Sequence, residues 1–171
     1  MKAIDTRSNS DSKSDNARAR ELYRYFQPPE PPSPSTLIAH EASSPDTTLT
    51  ALAQLCAIRL HAKRAMISLI DRENQYFVAE STKTLDLVNN NKSEVEGDGL
   101  WFGCGTVDKH GRLCEKTIEL PPAVGRAPCF TVTDLSKDER FNTLPFVTGD
   151  PNFRFYAGTV RTSLGSKSEI S

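Results

Sequence analysis

No apolar run in this sequence reaches the ~18 residues that a bilayer-spanning helix needs. The opening residues, Met1-Lys2-Ala3-Ile4-Asp5-Thr6, hold no apolar core of the kind a secretory signal carries. An excess of one charge is also missing. The 21 Lys and Arg stand against 22 Asp and Glu, a formal net charge of −1, so nothing draws the chain to a polyanion and nucleic acid is not expected as a partner. The 9 glycines form no phosphate-binding loop, so nucleotide hydrolysis through such a loop is not expected. Together these absences point to a cytoplasmic chain without membrane contact and without a cofactor, in which the 4 cysteines are free thiols.

Hydrophobic residues make up 37% of the 171, below the usual globular share, and the deficit falls at the ends. Residues 5–16 read DTRSNSDSKSDN and the tail after residue 164 reads GSKSEIS. Neither has apolar mass to offset its ordering entropy, so 1–16 and 165–171 are expected to be disordered. Residues 17–26, ARARELYRYF, fit a short helix with Leu22, Tyr25 and Phe26 on one side. Pro28-Pro29-Glu30-Pro31-Pro32-Ser33-Pro34 follows, an extended spacer, so 17–45 reads as helix and linker.

Regular patterning starts at Asp46, an N-cap in type. Leu49, Leu52, Ala53, Cys56 and Leu60 then recur at helical spacing, which predicts a helix over about 47–63 with that stripe facing the core. Ala65 to Ile70 is a continuous apolar run that fits a buried strand. Asp71 to Asn74 supplies a turn and Gln75 to Glu80 a second strand. Residues 82–99 are a long polar loop. Trp101 and Phe102 return to packed structure, 113–118 fits a short helix, 130–133 a strand, 136–141 a helical turn, 145–151 a loop and 153–160 a strand. Interleaved helices and turn-linked strands predict an α+β fold with a mainly antiparallel sheet.

Three stretches then add up to a family likeness. Leu49-Thr50-Ala51-Leu52-Ala53-Gln54-Leu55 leading to Arg64-Ala65-Met66-Ile67-Ser68-Leu69-Ile70-Asp71-Arg72 resembles the first helix and strand of GAF domains. Leu100-Trp101-Phe102-Gly103-Cys104-Gly105 through Leu113-Cys114-Glu115 is similar to the middle of that family. The run from Phe130 through Thr133-Asp134-Leu135-Ser136 and Arg140-Phe141, closing on Arg154-Phe155-Tyr156-Ala157-Gly158, resembles GAF domains that precede histidine kinase modules. Arg20-Glu21-Leu22-Tyr23-Arg24-Tyr25-Phe26-Gln27-Pro28 is similar to the leader of fungal hybrid histidine kinases. The resemblance implies a GAF-like, PAS-related domain over 46–164, with a central antiparallel sheet between helices. It also implies a further apolar strand and helix, for which the residues after Val160 offer no counterpart, so the domain reads as incomplete.

The implied role is sensory, within a two-component phosphorelay protein. The partners it implies are a small-molecule ligand, a second copy in a homodimer, or kinase modules outside this chain. The implied ligand pocket would be lined by Trp101, Phe102, Cys104, Cys114 and Phe155. No catalytic residue is expected, since His40, His61 and His110 read as surface or loop histidines rather than phosphoacceptors. No metal site is expected either, because Cys104 and Cys114 with His110 and Cys129 fit no tight zinc spacing. An enzymatic reading rests on a resemblance to the GAF-fold free methionine sulfoxide reductases, whose cysteine pair looks like Cys104 and Cys114. The same pair would also serve a redox sensor, and the fold would also serve a ligand-free dimerisation module.

Overall fold

The computed structural model describes residues 7–28, 44–88, 93, 95–121 and 127–160, and they form two compact units, Met1–Asp108 and Lys109–Ser171. The division between the two units falls after Asp108, within the 46–164 stretch that the sequence reads as one domain. The proline spacer after Pro28, His40 and the tail from 161 lie outside the described residues. Among those described, no helix is long and apolar enough to cross a membrane.

The first unit opens on helix α1, Arg7–Leu22. It takes in residues 7–16, which composition alone marks as disordered, and it starts well before the expected Ala17. A segment with little to bury can still be helical where local pairs support it, here the i,i+3 ion pair between Asp15 and Arg18. Beyond Leu22 the backbone continues in hydrogen-bonded turns, with the Tyr25 and Phe26 amides both donating to the Leu22 carbonyl.

Helix α2 spans Thr47–Arg59. Its N-cap is Asp46, as the sequence predicts, and the Asp46 carboxylate accepts the Thr48 amide at 2.8 Å and the Leu49 amide at 3.3 Å. The helix stops at Leu60, short of the expected 63, and His61 turns into the left-handed region at φ 51°. The buried face differs from the predicted stripe. Thr50, Ala53 and Ala57 face inward, while Leu52, Cys56 and Leu60 are exposed. Small side chains let the helix lie close to the strands below it, so packing selected Ala and Thr over Leu.

Those strands are β1 (Arg64–Ile70), β2 (Asn74–Thr82) and β3 (Gly105–Asp108), an antiparallel sheet in the order β1-β2-β3. Asp71 closes the β1–β2 hairpin by accepting the Glu73 and Asn74 amides at 2.8 and 2.6 Å. Ile67 pairs with Ala79 but Ser68 pairs with Phe77, so Val78 is an extra residue in β2 and forms a bulge. Gln54 of α2 donates to the Leu85 carbonyl at 2.7 Å and ties the helix to the chain leaving β2. The sequence pattern does not predict β3. Its Gly105-Thr106-Val107-Asp108 is too short to show a period, and its pairing with Asn74–Phe77 decides it.

The second unit contains α3 (Leu113–Ile118), β4 (Cys129–Val132), a 3₁₀ turn over Leu135–Lys137, α4 (Pro145–Thr148) and β5 (Tyr156–Thr159). The α3 bounds are the predicted ones. The Glu115 carboxylate reaches back to the Gly111 amide at 2.9 Å at the helix start. β4 and β5 pair antiparallel, Val132 opposite Tyr156. The core is Leu113, Val132, Leu135, Phe141 and Val147, with Phe130, Phe146, Phe153 and Tyr156 against it. The expected loop 145–151 contains the single turn α4, with Pro145 at its start, where a missing amide costs nothing. The fold is thus α+β with antiparallel sheets.

Candidate functional site

Glu80 is the organising residue of the first unit. It is a charged side chain in β2, opposite Met66, and it is fully buried. Leaving a carboxylate unpaired there would cost several kcal/mol. Here the guanidinium of Arg64, itself nearly buried, donates to Glu80 Oε1. The backbone completes the shell. The Trp101 amide donates to Oε1 at 2.7 Å, the Phe102 amide to Oε2 at 2.7 Å and the Gly103 amide to Oε2 at 2.6 Å. Three successive amides converging on one anion form a concave nest. Gly103 supplies the left-handed turn, at φ 66°, that brings its amide round.

This clamp fixes the aromatic pair beside it. The Trp101 and Phe102 rings lie 5.9 Å apart between centroids, and Phe102 lies 4.9 Å from Phe77 of β2. Gly105 makes room for the Phe102 ring, since a Cβ there would stand 2.7 Å from Phe102 Cε1. Both Trp101 and Phe102 are half-buried. Cys104 is half-buried in the same segment, and its Sγ donates to the Val78 carbonyl at 3.4 Å, at the bulge. Burial first, and then the Glu80 charge, push the Cys104 thiol up, so it stays protonated at neutral pH.

A second network lies at the β1–β2 turn. Asp71 Oδ2 accepts the Tyr23 hydroxyl at 2.6 Å and the Tyr76 hydroxyl at 2.7 Å. Burial pulls the Asp71 carboxyl upward, but the hydrogen bonds from Tyr23, the Asn74 amide, Tyr76 and the Glu73 amide outweigh it and hold it below the usual range. The two phenols move the other way. The bond to Asp71 raises Tyr23, and burial followed by Asp71 raises Tyr76. Phe26 adds a ring contact to Tyr76 at 5.3 Å, so the chain leaving α1 is fastened to the hairpin.

In the second unit Tyr156 carries the comparable cluster. Its hydroxyl shares a 2.8 Å hydrogen bond with Thr117 Oγ1, which lies 3.1 Å from the Leu113 carbonyl, and it stands 3.4 Å from Cys114 Sγ. Burial above all, then the nearby Cys114, pushes the phenol far up. Tyr156 folds back over Gly158, where a Cβ would stand 2.3 Å from the Tyr156 hydroxyl.

Trp101, Phe102 and Cys104 therefore sit together in the first unit. Cys114 belongs to the Tyr156 cluster of the second. Phe155 is 59% exposed and joins neither group. Phe155 stands just before β5, whose first residue Tyr156 packs against the core. His61 and His110 are exposed, and all four cysteines are free. Among the described residues, no group of three or more His, Cys, Asp or Glu is placed to hold a metal ion.

The residues that sequence reasoning misses are Arg64, Glu80, Asp71, Tyr23, Tyr76, Thr117 and Tyr156. A signal exists for two of them: Asp71 opens the predicted turn, and Glu80 ends the run Tyr76-Phe77-Val78-Ala79, where a charge asks for a partner. No family model matches this chain, and no curated protein matches it.

Proposed function

We propose that this chain is a sensory or regulatory module of the GAF kind, from a phosphorelay signalling protein, that binds a small molecule and performs no chemistry itself. The observation that carries the proposal is the Glu80 clamp, which holds Trp101 and Phe102 half-buried against β2 and β3. A fixed aromatic pair offers a flat or apolar ligand a surface whose ordering cost is already met. Backbone amides tied to a strand residue also give ligand contact a direct route to the sheet, which suits a sensor.

The GAF resemblance over Leu49–Arg72, to a first helix and a first strand, agrees with the order α2 then β1 in that stretch. The reductase reading is less well supported. It needs an accessible, low-pKa thiolate, and Cys104 is held protonated by burial and by Glu80.

Trp101 is the only tryptophan, so its emission reports this segment alone. Titration of the full chain with a panel of small metabolites should give, for at least one class, a saturable change in Trp101 emission. That change should be lost in Phe102→Ala. A flat response across the panel, together with methionine formed from methionine sulfoxide, would replace the sensory reading with the enzymatic one.

A further inference from the structure

Three oxygens meet at the β1–β2 turn, each from a different part of the first unit. Tyr23 comes from the chain leaving α1, Asp71 from the turn and Tyr76 from β2. One carboxylate oxygen, Asp71 Oδ2, accepts both hydroxyls, at 2.6 and 2.7 Å. The two hydroxyls are also within hydrogen-bonding reach of each other, so the three oxygens outline a triangle. Tyr23 and Asp71 are 48 residues apart, so no sequence motif announces the cluster.

The donor set is specific. It is all oxygen, which suits a hard cation rather than zinc or copper. Its edges fit one face of an octahedron, since ligands about 2.0 Å from a small hard ion stand roughly 2.8 Å from each other. The carboxylate is already oriented to offer a single oxygen, because Asp71 Oδ1 is taken by the Glu73 and Asn74 amides at 2.8 and 2.6 Å. Asp71 and Tyr76 are buried, whereas Tyr23 is 49% exposed, so an ion enters from the Tyr23 side and completes its shell with water.

Charge selects the ion. With both phenols ionised the triangle carries three negative charges. A trivalent cation cancels them, while a divalent one leaves a net charge beside buried groups. The bond to Asp71 above all keeps the Tyr23 phenol protonated, and burial above all that of Tyr76, so only a strong Lewis acid displaces the two protons. Arg72 acts on Tyr23 in the opposite sense and eases the loss of its proton.

We propose that Tyr23, Asp71 and Tyr76 form a binding site for a hard trivalent cation, of which ferric iron is the biological example. Each phenol loses its proton to solvent as its oxygen bonds the metal, and the iron stays ferric, so no electron is exchanged. The bound ion ties the chain after α1 to the hairpin. The inference stands apart from the sensory reading.

Titration of the full chain with ferric nitrilotriacetate should give the visible charge-transfer band of a phenolate–iron(III) bond, saturating at one ion per chain. Gallium nitrilotriacetate, which has no redox chemistry, should raise the thermal unfolding midpoint of the wild type. Tyr23→Phe and Asp71→Asn should each weaken iron binding tenfold or more and abolish the gallium shift. Tyr76→Phe should remove most of the band. Trp101 emission without metal shows whether each variant is folded, and Tyr23→Phe, at a half-exposed position, decides the matter if Asp71→Asn unfolds. A wild type with neither the band nor the gallium shift would overturn the proposal. So would a band that survives in both Tyr23→Phe and Tyr76→Phe, which would place the iron elsewhere, or magnesium competing with iron on equal terms.

Discussion

At the residue scale, two side chains decide much of the local structure, and the sequence shows them unequally. Glu80 is legible only as an anomaly, because its partners Trp101–Gly103 lie far along the chain and register alone brings them back. Removing it in Glu80→Ala leaves the nearly buried Arg64 and three amides without their anion. The expected cost is about 3–5 kcal/mol, read by chemical denaturation. The same variant should speed alkylation of Cys104 under native conditions, since the opposing charge is gone and the segment is released. In the wild type Cys104 should label slowly until the protein unfolds. Labelling as fast as a free thiol would mean that Cys104 is neither shielded nor held protonated. Tyr156 is the second case. The sequence marks Gly158 as a glycine inside a strand, but not as the space into which Tyr156 folds. Gly158→Ala should destabilise by about 1–3 kcal/mol through overpacking. Adding Tyr156→Phe would then recover little of the loss, because Tyr156 Cζ also lies 2.8 Å from the added carbon. Full recovery would show that the hydroxyl alone makes the contact.

At the element scale, capped helices are legible in the sequence and buried faces are not. Asp46 announces the start of α2, and α3 falls where its apolar spacing puts it, because caps and periods are local. Which face of α2 is buried is not local. It depends on how closely the helix approaches β1 and β2, and Ala53 and Ala57 win that contact over the larger Leu52. The link between the leader and the hairpin is invisible for the same reason, since Tyr23 and Asp71 are 48 residues apart. That link predicts a pH signature. The Asp71 carboxyl is depressed in the fold, so its contribution is present above its unfolded value of about 3.9 and is lost as pH falls through the lower folded value. Tyr23 and Tyr76 are raised, so theirs is present below about 10 and is lost as pH rises through the higher folded values. Denaturation midpoints measured from about pH 2 to about pH 11 should fall at both limbs, and Asp71→Asn should flatten both. An acid limb unchanged in Asp71→Asn would assign that loss to other carboxylates.

At the scale of the molecule, the α+β class and the antiparallel pairing follow from interleaved periods and turn chemistry. The division at Asp108 does not, because Gly103 to Gly111 carries no break in composition that marks a boundary. The candidate site is half legible: Trp101, Phe102 and Cys104 stand out in the sequence and lie together, while the carboxylate that arranges them does not stand out. The central claim is that this segment receives a ligand and reports it to the sheet. It is tested most directly by amide resonances of the full chain, recorded while the compound that shifts Trp101 emission is titrated in. The expected result is a saturable shift of Trp101, Phe102 and Gly103, the amides held by Glu80, that spreads to Phe77–Glu80 of β2. Shifts confined to other parts of the chain, with Trp101–Gly103 unmoved, would contradict it.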